Sequence, residues 1–168
     1  VRKVLVIDTD ILCVWLGIPR KDDCGPINDR WDQARVNEKI QLEEVDKTTF
    51  VLPLATLIET GNHIAQASHS RLEVAGKLAE IIRKSADDVD PWAAFDNQSV
   101  LWTPEHLRKL ADEWPALANT GLAIGDATIK RLAEYYSEQF EVEILTGDQG
   151  LKAYEPLAPA EIPRRRKR

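Results

Sequence analysis

Four acids carry the clearest chemical potential in the chain: Asp8, Glu59, Asp126 and Asp148. Asp8 follows the apolar run Val4-Leu5-Val6-Ile7, and Asp148 follows Ile144-Leu145 after Thr146 and Gly147. Glu59 lies one or two helical turns beyond Thr49-Phe50-Val51-Leu52, and Asp126 falls in the opening turn of a helix. Unbroken runs of Val, Leu and Ile read as strands buried on both faces, the parallel-sheet type. In open α/β sheets, strand carboxyl ends and the starts of the following helices share one edge, where ligands gather. Acids far apart in sequence can therefore converge there. Such a cluster repels itself unless a divalent cation is present. Oxygen-only donors favour Mg2+ or Mn2+ over zinc. Taken singly, each acid is as readily a helix cap; convergence is what would make a site.

The elements that must position these acids alternate. A strand over 3–8 precedes a short helix to Leu16, with Thr9 or Asp10 as cap and Gly17-Ile18-Pro19 as terminator. Residues 21–28 read as a loop, and Asp29 as the cap of a helix over 30–45. A strand over 49–52 leads through Pro53 into a helix bearing Leu54, Leu57, Ile58, Gly61, Ile64 and Ala65 on one face. A further helix begins at Ser70, with Leu72, Ala75, Leu78, Ala79 and Ile82 as its apolar repeat. Ser99-Val100-Leu101-Trp102 is expected to be a third strand. Thr103-Pro104-Glu105 opens a helix to Trp114. Ile129, Leu132, Ala133 and Tyr136 form the core face of the helix carrying Asp126, and 141–145 is a further strand. The alternation predicts an α/β fold, a three-layer α/β/α arrangement around a parallel sheet of four or five strands.

With 168 residues, residues 1–158 suffice for a single domain. No apolar run is long enough for a signal peptide or a membrane span, so the expected location is the cytoplasm. Cys13 and Cys24 are too few for a disulfide framework, and Cys13 reads as a small core residue. His63, His69 and His106 lack zinc-finger spacing. Five positive charges sit in Arg164-Arg165-Arg166-Lys167-Arg168, so the body is more acidic than the net charge of -6 indicates. Residues 159–168 are expected to be a flexible basic tail, either simply solvated or offering phosphate contacts.

Four motifs in order give the chain a resemblance to the PIN-domain nucleases. They are Val6-Ile7-Asp8-Thr9-Asp10-Ile11-Leu12, Leu57-Ile58-Glu59, Gly121-Leu122-Ala123-Ile124-Gly125-Asp126-Ala127, and Ile144-Leu145-Thr146-Gly147-Asp148-Gln149-Gly150-Leu151. The resemblance implies an endoribonuclease that hydrolyses phosphodiester bonds of single-stranded or structured RNA with Mg2+ or Mn2+. It implies Asp8, Glu59, Asp126 and Asp148 as catalytic, metal-binding acids, with Thr9, Asp10 and Thr146 supporting them. It further implies a homodimer and, for toxin-like members, an antitoxin partner. The segments 17–48 and 85–119 are longer than in the most compact toxins of that family.

Substrate contacts are expected from Asn62, His63, Arg164, Arg165 and Arg166; His63 lies four residues after Glu59 and so on its side of the helix. Arg20, Lys21, Arg30 and Arg35 either line a phosphate path or form a solvated charged face. The five tryptophans either stack on bases or, as their apolar surroundings favour, pack in the core. Two other readings remain. A haloacid-dehalogenase-type phosphatase would use Asp8 as nucleophile and Asp10 as general acid, but after Asp148 the next acid is only Glu155. A non-catalytic scaffold or binding module of the same fold is the other.

Overall fold

Strand β1 (Lys3–Ile7) is the centre of the molecule, and its alternating side chains build two cores. In a computed structural model that describes residues 2–159, β1 lies between β4 (Thr49–Val51) and β5 (Glu141–Leu145), parallel to both. Helix α1 (Thr9–Leu16) follows β1 directly. Two-residue strands β2 (Asp23–Cys24) and β3 (Trp31–Asp32) pair antiparallel and lead into α2 (Gln33–Val45). Beyond β4 come α3 (Leu54–Gln66), α4 (Arg71–Ala86), a 3-10 helix (Phe95–Trp102), α5 (Pro104–Asn119) and α6 (Ile124–Ser137). After β5, α7 (Gln149–Lys152) ends the regular structure. No helix among the described residues is long and apolar enough to cross a membrane.

Successive strand residues point to opposite faces. Leu5 and Ile7 pack with Phe50 and Leu52 against Ile11, Leu12, Ile64 and Leu78 on one face. Val4 and Val6 pack with Val51 and Ile144 against Ile129, Leu132 and Tyr136 on the other. Helices thus cover both faces of a parallel sheet, as the alternation predicts. All four expected core positions of α6 are buried.

Among the described residues the sheet has three strands, where four or five are expected. Ser99–Trp102 is not a strand but the end of the 3-10 helix. Gln98 explains why that segment still sits beside the sheet. Its side-chain amide donates to the Leu52 carbonyl at 2.8 Å and accepts from the Leu54 N–H at 3.1 Å. One buried side chain thereby satisfies backbone groups at the end of β4 that a neighbouring strand would otherwise take. On the outer edge of β4, a single parallel bridge from Phe50 to Trp92 replaces a strand. Trp92 is buried there, stacked on Trp15 and edge-on to Phe50. Trp102, by contrast, is 36% exposed.

Other boundaries move for local reasons. Residues 21–28 include β2, and Asp32 rather than Asp29 caps α2, accepting from the Arg35 N–H at 2.8 Å. Helix α5 runs past Trp114 and Pro115 to Asn119. Pro115 is exposed, so the missing N–H costs that face little beyond its own bond. The apolar repeat assigned to α4 is rotated: Val74, Leu78 and Ile81 are buried, while Leu72 is 90% exposed. On α3 the buried line is Thr56, Thr60 and Ile64, with Ile58 exposed. Thr56 belongs inside because its hydroxyl donates to the Ile7 carbonyl at 2.9 Å, tying α3 to the end of β1.

At the opposite end of the sheet Glu43 is buried between Lys3 and Lys39, at 2.5 and 2.6 Å, and accepts from the Thr48 hydroxyl. Burial alone would raise its pKa, but these donors outweigh it and hold the carboxyl at about 2.

Candidate active site

Asp8 is the residue after β1, and the sheet continues through it: its N–H donates to the Leu145 carbonyl at 3.0 Å. It is also the N-cap of α1, where one carboxylate oxygen accepts from the Thr9 N–H at 2.7 Å. The other accepts from the Thr146 hydroxyl at 2.6 Å. That hydroxyl in turn accepts from the Asp148 N–H at 3.0 Å. Asp148 caps α7 by accepting from the Gly150 N–H at 2.7 Å. So Thr146, at the end of β5, fixes the acids of two adjacent strands relative to each other. Thr9 does the same for α3, donating to Glu59 at 3.0 Å. Asp126 stands in the first turn of α6, and Gly125 before it leaves room for Glu59: a Cβ there would collide with the Glu59 carboxylate.

All four predicted acids, together with Thr9 and Asp10, line one cleft of about 270 Å³. Asp10 braces the backbone around the cleft. Its carboxylate accepts from the N–H groups of Ile11 and Gly147, at 2.7 and 2.9 Å. Burial, then the charge of Asp10, push Asp8 up to about 8. Asp126 is raised to about 6 by burial, then by Asp148, Glu59 and Asp10. Burial also raises Asp10. Among the described residues none of these five carboxylates is in an ion pair. Lys21 is the one cation among the described residues lining the cleft, and Asp8, Asp10 and Asp126 are held there against their electrostatic preference.

The donor set suits a hard cation. Cys13 and Cys24 also line the cleft. Burial pushes the Cys13 thiol up to about 11, and burial with Asp10 pushes Cys24 up to about 12. Both therefore stay thiols at neutral pH, and carboxylates are the anionic donors. No three His, Cys, Asp or Glu side chains among the described residues form a ready-made metal cage. A hydrated Mg2+ does not need one, because it keeps several waters and takes one or two carboxylates plus substrate phosphate oxygens.

Of the predicted substrate contacts, His63 lines the cleft, and Asn62 is exposed on α3 outside it. Burial, then nearby Lys21, lower the His63 pKa, so the ring is neutral at physiological pH. Arg164, Arg165 and Arg166 lie outside the described residues. Sequence reading missed Cys24 and Asp23 as lining residues, because nothing local marks a two-residue strand. The available signal was Gly25, which sits at φ +91° in the β2–β3 turn.

That turn is pressed against the site. A Cβ on Gly147 would lie 2.7 Å from the Gly25 nitrogen and 2.9 Å from both the Gly25 Cα and an Asp10 oxygen. Backbone cannot yield cheaply, so Gly147→Ala should cost about 1–3 kcal/mol by overpacking. Thermal unfolding is expected to show its Tm lowered by several degrees. Gly76→Ala on α4 meets nothing within 4 Å and should instead gain about 1 kcal/mol. A Gly147→Ala protein melting with wild type would refute the close approach of turn and strand end.

The chain matches no family model, no curated protein and no solved structure.

Proposed function

We propose that the protein is a Mg2+- or Mn2+-dependent endoribonuclease of the PIN-like type, hydrolysing phosphodiester bonds of single-stranded or structured RNA. The observation that carries this reading is the cleft itself: Asp8, Asp10, Glu59, Asp126 and Asp148 arrive from four chain segments and line one cleft, none of them in an ion pair among the described residues. Asp8 and Asp126 are the acids the resemblance puts forward to hold the metal, and the repulsion from surrounding carboxylates that raises both is what a cation's charge would offset. When bound, the divalent ion supplies charge that lets the acids ionise together and lowers the pKa of water. Thr146 and Thr9 keep Asp8 and Glu59 from turning away as charge enters the cleft. A phosphodiester brought to this edge needs no nucleophilic side chain, and the two thiols, both raised well above neutrality, offer none. The four-motif resemblance supports the same reading and extends it to a toxin–antitoxin module with a homodimeric nuclease.

A non-catalytic module of the same fold is the second reading. The phosphatase reading loses ground, because Glu155 pairs with Lys152 at 2.5 Å and accepts from the Ile144 N–H at 2.8 Å. The decisive assay incubates end-labelled RNA with the protein and Mg2+ or Mn2+, with and without chelator. Metal-dependent cleavage that Asp126→Asn abolishes is expected. Hydrolysis of p-nitrophenyl phosphate with RNA left intact would favour the phosphatase, and no activity despite metal binding would favour the module.

A further inference from the structure

A second groove of about 370 Å³ adjoins the acidic cleft, and Lys21 and His63 line both. Arg20 and Gln66 line its far part, over a floor that includes Ile18 and Ala67. We propose that this groove is a subsite for the phosphodiester backbone of single-stranded RNA, beside the bond that is cut; this rests on the nuclease reading above.

A cleft of five acids repels a polyanion, so the strand needs cations next to it. The chain offers four candidates between 20 and 35, and the structure divides them. Arg30 pairs with Asp23 at 2.7 Å and also donates to the Gly25 carbonyl. Arg35 pairs with Asp29 at 2.8 Å and lies 3.7 Å over the Trp31 ring. Both are committed to the β2–β3 turn. Arg20 and Lys21 have no ion-pair partner among the described residues, and they are the two that reach the groove. Their position is set by a tight turn in which the Lys21 N–H donates to the Ile18 carbonyl at 2.9 Å. Arg20 sits there at φ 66°, a left-handed conformation that costs a non-glycine residue energy and that Gly or Asn would adopt more readily. The groove volume is that of a small-ligand site. Its chemistry is that of a nucleotide: two cations for phosphate, a neutral imidazole and an amide for polar edges, and an apolar floor.

The test uses the full chain carrying Arg20→Gln with Lys21→Gln, which removes both charges and leaves the backbone constraint unchanged. Cleavage of a labelled single-stranded RNA in Mn2+ should show KM raised roughly tenfold with kcat little altered. Binding of the same RNA in chelator should show a salt slope smaller by about 1.4, two phosphates at 0.7 each. The charge-restoring pair Arg20→Lys with Lys21→Arg should recover both. Lys109→Gln, removing a lysine paired with Glu105 on α5, should change neither. If wild type cuts RNA and the double variant shows the same KM and salt slope, the subsite is wrong and the nuclease reading survives. If wild type cuts nothing but binds RNA through Arg20 and Lys21, the subsite stands and the nuclease reading falls.

Discussion

Asp8→Asn is expected to lower RNA cleavage by roughly 10³-fold, about 4 kcal/mol of barrier, and at the same time to stabilise the metal-free protein. The two effects have one cause. Asp8 is buried, faces Asp10 and Asp126, and is held near a pKa of 8. Its charge is therefore costly without a cation and useful with one. Asparagine keeps the N-cap, since its oxygen can still accept from the Thr9 N–H. Its amide can face the Thr146 hydroxyl, which is able to accept as well as donate. What disappears is the negative charge. After allowance for water in the cleft, the gain is on the order of 1–2 kcal/mol, or about 3–6 °C in Tm for a chain of this size. Calorimetry or circular dichroism in chelator measures it. A buried acid that merely capped a helix would be destabilising to replace, so a lowered Tm with activity retained would contradict the assignment.

The second large effect is that pH and metal should act on stability in opposite directions. Asp8 and Asp126 have folded-state pKa values raised to about 8 and about 6. Between the ordinary carboxylate range and those values, the unfolded chain has lost protons that the folded chain keeps. Stability therefore falls as pH rises from about 4 to about 8. Glu43 works the other way: its folded pKa is lowered to about 2, so its contribution is present above the usual glutamate range and is lost as pH falls toward 2. The metal-free protein should accordingly be most stable near pH 4 to 5. A divalent cation binds the ionised cleft, so at a hundredfold excess over Kd it should restore about 2.7 kcal/mol near pH 8. It should restore little near pH 5, where protons occupy the same oxygens. Tm measured across this range with chelator and with Mg2+ checks it. Parallel curves, with Mg2+ adding nothing at any pH, would show that the acids are not a metal site.

Much of this site is legible in the sequence because strand ends advertise themselves. Val4–Ile7 and the run ending at Leu145 are apolar enough to be read as buried strands, and the acid after each then has a defined place. Asp126 follows from the helical periodicity of Ile129, Leu132 and Tyr136. The failures have physical causes too. Ser99–Trp102 has strand-like residues, yet its register is set by Gln98, a side chain bonding to backbone 46 and 44 residues away. Strand β2 is two residues long, below any periodicity that a sequence can show. Its site residue Cys24 was therefore out of reach. The tie from Asp10 to Gly147 could not be read, because the two lie at opposite ends of the chain. Arg30 and Arg35 could not be told from Arg20 and Lys21 until their partners were known.

The most direct test of the central claim is calorimetric titration of Mn2+ into the 168-residue chain near pH 7.5, beside Asp8→Asn and Asp126→Asn. Saturable binding by wild type, accompanied by proton release from the raised carboxyls, is the expected result. Both variants should bind at least tenfold more weakly, the scale of losing a ligating or positioning group. Wild-type protein that takes up no Mn2+, or variants that bind it as tightly as wild type, would contradict the account of the cleft as a metal-dependent catalytic centre.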